Sequence, residues 1–133
     1  MQRELPAVTT AGAQVVAIGQ GTADEAERIC EQMGVRFPCL GDPEKASYRA
    51  YGLRRAGWRE IVLDPIREGS EAMAKGYRVS LRGSLMRHSD WFQLPGVAIV
   101  DRSGVVRWLH QARHSGDIPA PPTVLAALAA IDA

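Results

Sequence analysis

Apolar and polar positions along the chain predict strands that alternate with helices. Residues 13–19 form a nearly continuous apolar run, which is typical of a strand buried on both faces of a parallel sheet. Thr22 then begins a helix, and Glu25 three residues later completes a capping box. Residues 35–40 predict a short strand, and Pro38 favours an edge position for it because proline lacks a backbone donor.

The second half of the chain predicts an irregular segment, a hairpin and a final helix. Residues 54–94 have little periodicity apart from a weak helical pattern at about 64–75. Residues 96–100 and 105–110 alternate as two strands around a Gly-containing turn. Proline residues then lead into a helix over 123–132. The order of elements favours the α/β class.

Composition bounds the class of protein. The 133 residues suit one domain, and 46% apolar with 23% charged residues is typical of a folded chain. No apolar run approaches the ~18–20 residues that span a bilayer. The N-terminal residues include an acid and a proline where a signal peptide needs an apolar stretch. We therefore expect a cytoplasmic protein without a membrane partner.

Charge is balanced overall but uneven along the chain. The formal net charge is +1, which gives no reason to expect a nucleic-acid partner. Residues 1–44 carry three arginines against seven acids, whereas residues 45–113 hold thirteen of the sixteen basic residues. Fourteen of the sixteen are arginine, which suits either an anion site or a solvated surface.

Three passages resemble the alkyl hydroperoxide reductase/thiol-specific antioxidant family, in its peroxiredoxin-like branch. They are GAQVVAIGQG at 12–21, FPCLGDPEKASYRAYGL at 37–53 and FQLPGVAIVDRSGVVR at 92–107. Their order and spacing are similar to the family over roughly residues 2–132. The resemblance implies a thioredoxin-like α/β fold, ancestry among thiol peroxidases, and one truncated domain over 1–133.

One part of the family pattern has no counterpart. A peroxidase of this family carries its reactive cysteine after its first major strand, at the start of the next helix, and residues 2–11 resemble only the rest of that helix. The missing strand would lie centrally, between 13–19 and 96–101. We expect the gap to be closed by re-pairing, strand exchange or, most simply, a homodimer, since unpaired buried backbone groups cost ~1–3 kcal/mol each. An incomplete reading frame is a further explanation.

The chain has two cysteines and no CxxC motif. Cys30 falls on the apolar face of the first helix, with Ala26, Ile29 and Met33, and Cys39 falls in the following strand. Small core residues are one interpretation of the pair, because an apolar environment makes a thiol inert. A residual thiol peroxidase using Cys30 or Cys39 is another, and helix-to-strand geometry leaves a reversible disulfide open.

The resemblance also points to a former active-site pocket formed by Trp91, Pro95 and Arg113. Pro95 matches the place of a cis-proline in thioredoxin-like folds, so the resemblance implies a cis Leu94–Pro95 peptide bond. Without the family cysteine, Arg113 would be a free cation able to hold a hydroperoxide, a carboxylate or another small anion. His110 and His114 are four apart but not on a predicted helix, so we expect no metal, and nothing predicts a cofactor.

These observations leave three hypotheses for function. The first is a peroxiredoxin-like protein that has lost its usual redox centre and binds a ligand or assembles through the former pocket. The second is a residual thiol-dependent antioxidant oxidoreductase. The third is a new, non-redox enzyme activity, because a fold does not dictate function.

Overall fold

A computed structural model of the chain describes residues 1–59, 90 and 92–132. The helix predicted over 64–75 and most of the irregular segment 54–94 lie outside the described residues. The mixture of helices and small sheets in the described parts confirms the α/β class.

The described residues belong to two compact units. The first comprises residues 1–50 with Asp90, and the second comprises 51–59 with 92–132. A single domain over 1–133 stays a prediction.

The first unit holds a two-stranded parallel sheet and the helices around it. Its elements are a 3-10 helix Gln2–Glu4, α1 Leu5–Thr10, β1 Ala17–Gly19, α2 Ala23–Gln32, β2 Cys39–Gly41 and α3 Ala46–Ala50. Ile18 pairs with Leu40 in the parallel register. The sequence predicts strands at both positions, but the observed strands are shorter than predicted. Only three residues of β1 pair with the three residues of β2.

The start of α2 is fixed by the predicted capping box. The Thr22 hydroxyl accepts from the Glu25 N–H at 3.3 Å, and the Glu25 carboxylate accepts from the Thr22 N–H at 2.9 Å. Gly41 at the end of β2 lets this helix start pack directly on the strand, since a Cβ there would collide with the backbone of Thr22 and Ala23. Local capping and one glycine therefore place α2 on the sheet.

Only one face of this sheet is covered by α2. Cys39 is bonded to Cys30 of α2, and successive side chains alternate across a strand, so Leu40 lies on the opposite face. Ile18 is 41% exposed and Leu40 is 51% exposed. The prediction of a strand buried on both faces is therefore wrong. Met33 is also exposed rather than buried, because α2 ends one residue before it.

A side chain caps the outer edge of β1. The backbone groups of Ala17 and Gly19 bond toward β2, so those of Ile18 point to the other edge. There the Tyr48 hydroxyl donates to the Ile18 carbonyl oxygen at 3.0 Å. Burial, followed by the charge of Asp42, raises the pKa of Tyr48 and keeps this donor protonated. A phenol thus satisfies one acceptor on the edge where the missing strand was expected.

The second unit is built on the predicted hairpin. Its elements are β3 Gly96–Val100, β4 Val106–Gln111 and α4 Pro121–Asp132. The strands pair antiparallel, with a register irregularity between Ile99 and Val100. Asp101 holds the turn by accepting from the N–H groups of Ser103 and Val105 at 2.9 and 3.0 Å. The hairpin prediction is confirmed.

A small apolar cluster anchors the hairpin. It consists of Leu94, Ala112 and Ala56, all buried. The Ala56 N–H donates to the Phe92 carbonyl at 2.6 Å, and the Leu94 N–H donates to the Arg54 carbonyl at 3.0 Å. These hydrogen bonds hold residues 54–56 against residues 92–94, which lead into β3.

Within the described parts of the chain, β1 pairs only with β2 and β3 pairs only with β4. How the expected gap beside β1 is closed stays a prediction. The same residues contain no helix with the length and apolar character needed to cross a membrane.

Candidate functional site

The two cysteines of the chain form a disulfide. Cys30 lies in the last turn of α2 and Cys39 is the first residue of β2, with their Cα atoms 6.5 Å apart. Both residues are half-buried. The disulfide thus links a helix end to a strand start across the turn at 33–38.

This pairing bears on the alternatives that the sequence left open. The interpretation of Cys30 and Cys39 as inert core residues is wrong, because the two sulfurs are bonded to each other. The expected bond between Cys30 and Cys39 is present, and its reversibility stays a prediction. The only sequence signal for it was a separation of nine residues across a helix-to-strand turn, which permits the pairing without requiring it.

The turn between the cysteines is held by hydrogen bonds that its backbone N–H groups donate. The Val35 N–H donates to the Cys30 carbonyl at 2.9 Å, and the Arg36 N–H donates to the Gln2 side-chain oxygen at 3.0 Å. The Cys39 Sγ lies 3.6 Å from the Phe37 carbonyl oxygen. The disulfide sulfur has no proton to donate, whereas a Cys39 thiol has one and finds an acceptor already in place.

The second place of interest is the end of β4, where Arg113 contacts Asp117. The Asp117 carboxylate accepts from the Arg113 N–H at 2.9 Å and from the Arg113 Nε at 3.2 Å. His110 Nε2 lies 3.3 Å from the same carboxylate and 2.9 Å from the Asp117 carbonyl oxygen. The expectation that Arg113 is a free cation is therefore wrong, although its side chain is 79% exposed.

Asp117 is the partner of Arg113 that sequence reasoning did not predict. It is only 8% exposed. Burial raises the pKa of its carboxyl group, but hydrogen bonds from Arg113 and the nearby charges of His110 and Arg113 lower it more, so the net pKa lies below its ordinary value. The four-residue spacing from Arg113 to Asp117 was the available signal.

The other residues of the expected pocket are placed only in part. Trp91 lies outside the described residues. Pro95 is half-buried, and its carbonyl accepts from the Ala112 N–H at 3.1 Å, which brings it beside the residue that precedes Arg113. The cis prediction for Pro95 is wrong, because the Leu94–Pro95 peptide bond is trans. A trans proline at this position simply begins the approach to β3.

Comparison with known proteins identifies a family. The sequence model described as AhpC/TSA antioxidant enzyme matches residues 1–114, which include both cysteines, β1 to β4 and Arg113. No curated protein and no solved structure matches the chain.

Proposed function

Because the chain belongs to the AhpC/TSA antioxidant enzyme family, we propose that it is a thiol-dependent antioxidant oxidoreductase whose redox pair is Cys30 and Cys39. The disulfide between these residues is the observation that carries the proposal. Both cysteines lie inside the region that the family matches and close enough to bond. They can therefore supply the thiol redox chemistry for which the sequence showed no family cysteine. The thioredoxin-like fold of the family provides the scaffold.

The proposed reaction is a two-electron reduction of a hydroperoxide. A thiolate attacks the outer peroxide oxygen, the O–O bond breaks, and the leaving alkoxide takes a proton to become an alcohol. The cysteine is now a sulfenic acid. The second thiol attacks its sulfur, the S–S bond forms, and the S–O oxygen leaves as water. The dithiol loses the two electrons that the hydroperoxide gains, and a thiol reductant restores the dithiol.

The position of each cysteine assigns the two roles. Cys30 lies in the last turn of α2, where the negative end of the helix disfavours a thiolate. Cys39 is the first residue of β2, so the peptide dipoles of its own element do not oppose a thiolate. Cys39 is therefore the attacking thiol, and Cys30 is the resolving thiol that closes the disulfide.

A redox role also fits the expected compartment. Disulfides in a reducing cytoplasm are usually transient and serve catalysis or redox sensing. A cytoplasmic location stays a prediction for this protein. If it holds, the Cys30–Cys39 bond forms and breaks during function rather than acting as a permanent cross-link.

A stoichiometric peroxide titration tests the proposal. The reduced protein, freed of reductant, is treated with an alkyl hydroperoxide, and free thiols and intact mass are measured. We expect each equivalent to remove two thiols and two hydrogen atoms of mass. Cys30→Ser is expected to accumulate a sulfenic acid on Cys39, whereas Cys39→Ser reacts no faster than the variant lacking both cysteines.

One outcome would contradict this function, and another would contradict the assigned roles. If the wild type consumes peroxide no faster than the double variant Cys30→Ser/Cys39→Ser, the cysteine pair is not a peroxidase centre. If Cys39→Ser keeps the reaction and Cys30→Ser loses it, the roles of the two thiols are reversed. The first of these outcomes would make a ligand-binding or assembly role near Pro95 and Arg113 the leading alternative.

The homodimer remains a further prediction. The support for it is now the exposed pair Ile18 and Leu40 on one sheet face, since Tyr48 already satisfies the Ile18 carbonyl at the strand edge. Size-exclusion chromatography with light scattering should give twice the 14.5 kDa chain mass. A folded monomer in dilute solution would rule out the dimer.

A further inference from the structure

The side chain of Gln2 holds the turn at 33–38, which joins the two cysteines. Its Oε1 accepts from the Arg36 N–H at 3.0 Å, although the two residues are 34 positions apart. Among the residues that the structure describes, Gln2 is the only one outside the Cys30–Cys39 segment whose side chain bonds to this turn. One side chain near the start of the chain therefore bears on the geometry of the disulfide.

The two ends of the turn are fixed by different elements. Cys30 lies in the last turn of α2, whereas the Pro38 carbonyl accepts from the Ala17 N–H beside β1 at 2.9 Å. Between them, Gly34 has a φ of +65°, the left-handed conformation with which a chain commonly leaves a helix. Arg36 lies in the middle of the remaining residues. The bond from Gln2 is therefore placed where it restrains the path of the turn.

Gln2 is itself held by an ordered segment. It begins the 3-10 helix Gln2–Glu4, and its carbonyl accepts from the Leu5 N–H, so this helix continues directly into α1. Val8 of α1 is buried and anchors the segment. Gln2 is half-buried. A side chain on an anchored helical segment loses less freedom when it forms a bond, so Gln2 can restrain the turn rather than follow it.

The restraint matters most when the disulfide is open. In the dithiol protein no covalent bond keeps the end of α2 at β2, and Cys30 must still reach an oxidised Cys39 to complete the reaction. Closure of a loop is more favourable when its conformations are already restricted, because the effective concentration of the two reacting groups is higher. A tether in the middle of the turn supplies such a restriction.

We propose that Gln2 is a positioning residue for the step that forms the disulfide. The proposal rests on the redox function proposed above. The Cys30 thiol attacks the sulfur of the Cys39 sulfenic acid, the S–S bond forms, the S–O bond breaks, and the oxygen leaves as water with the thiol proton. In the competing step the sulfenic acid attacks a second hydroperoxide, whose O–O bond breaks to give an alcohol and a sulfinic acid. Gln2 favours the disulfide over the sulfinic acid.

The ratio of the two products measures this positioning. The reduced protein is mixed with increasing concentrations of an alkyl hydroperoxide, and intact mass distinguishes the disulfide from the sulfinic acid. Gln2→Met keeps the size of the side chain but removes the amide acceptor. We expect it to lower the hydroperoxide concentration that gives equal amounts of both products by about fivefold, the factor that one hydrogen bond of ordinary strength supplies. The rate of sulfenic acid formation, measured in the Cys30→Ser background, should not change.

Two further variants separate positioning from general stability. Gln2→Glu keeps an acceptor oxygen at the same distance along the side chain, so it should restore the wild-type product ratio. Thr9→Val removes another exposed hydrogen bond, which the Thr9 hydroxyl donates to the Leu5 carbonyl at 2.9 Å within the neighbouring α1. It should leave the ratio unchanged even if its urea midpoint falls. Circular dichroism checks the fold of each variant.

A measurement without peroxide separates this inference from the proposed function. Equilibration with reduced and oxidised dithiothreitol gives the effective concentration of the two thiols, which Gln2→Met should lower by the same factor. An unchanged product ratio together with an unchanged equilibrium would overturn the role of Gln2 and leave peroxide reduction intact. If the wild type does not reduce the hydroperoxide, the proposed function fails, and the dithiothreitol equilibrium still decides whether Gln2 brings the cysteines together.

Discussion

Reduction of the Cys30–Cys39 disulfide is expected to lower the free energy of unfolding by about 2–3 kcal/mol. The cross-link joins residues nine apart and so restricts the unfolded chain, although over a short loop. Its loss also frees the end of α2 from β2. Among the described residues, β2 is one of the two strands in the only sheet of the first unit. Urea unfolding of the oxidised and the reduced protein measures the difference.

The control for this experiment is the double variant Cys30→Ala/Cys39→Ala. Its urea midpoint should match that of the reduced wild type and should not respond to reductant. Identical midpoints for the oxidised and reduced wild type would show that the disulfide adds no stability. That result would leave catalysis as the remaining role for the bond, since a redox-active disulfide need not stabilise the fold.

Replacement of Asp117 by asparagine is expected to cost about 2 kcal/mol of unfolding free energy at neutral pH. The buried carboxylate accepts two bonds from Arg113 and contacts His110, and an amide replaces one acceptor oxygen with a donor. Urea unfolding measures the loss. Arg113→Gln should cost less than 1 kcal/mol, because the exposed guanidinium is hydrated and the Arg113 backbone N–H remains.

The Asp117 contribution should disappear in acid. Its pKa in the folded protein lies below the ordinary value, so the stabilisation is complete above the unfolded-state pKa and is lost as pH falls through the folded one. The difference between the wild type and Asp117→Asn should therefore shrink from neutral pH to about pH 3. A difference that stays constant with pH would show that the carboxylate charge is not the stabilising feature.

Elements with a local cause could be predicted from the sequence. The capping box at Thr22 and Glu25 and the turn at Asp101 depend on residues within a few positions of one another, so their side chains alone determine them. Strand lengths could not be predicted in the same way. The apolar run 13–19 pairs only at Ala17–Gly19, because its length in a ladder depends on a distant partner.

The candidate site illustrates the same division. The sequence brought both cysteines and Arg113 into consideration, from residue type and a family resemblance. It could not determine that Cys30 and Cys39 are bonded, because that depends on how α2 lies against β2. Nor could it show that Arg113 is paired with Asp117, since the fold of the turn after β4 brings the carboxylate to the guanidinium.

By itself, the sequence determined the family, the α/β class and the order of the elements. These follow from periodicity and motifs that can be recognised in the sequence without knowing which segments pack together. Only the tertiary structure decided which side chains meet. It joined the two cysteines, placed Tyr48 on the open edge of β1 and left Ile18 and Leu40 exposed. Such contacts depend on the packing of segments distant in sequence, and local preference does not encode that packing.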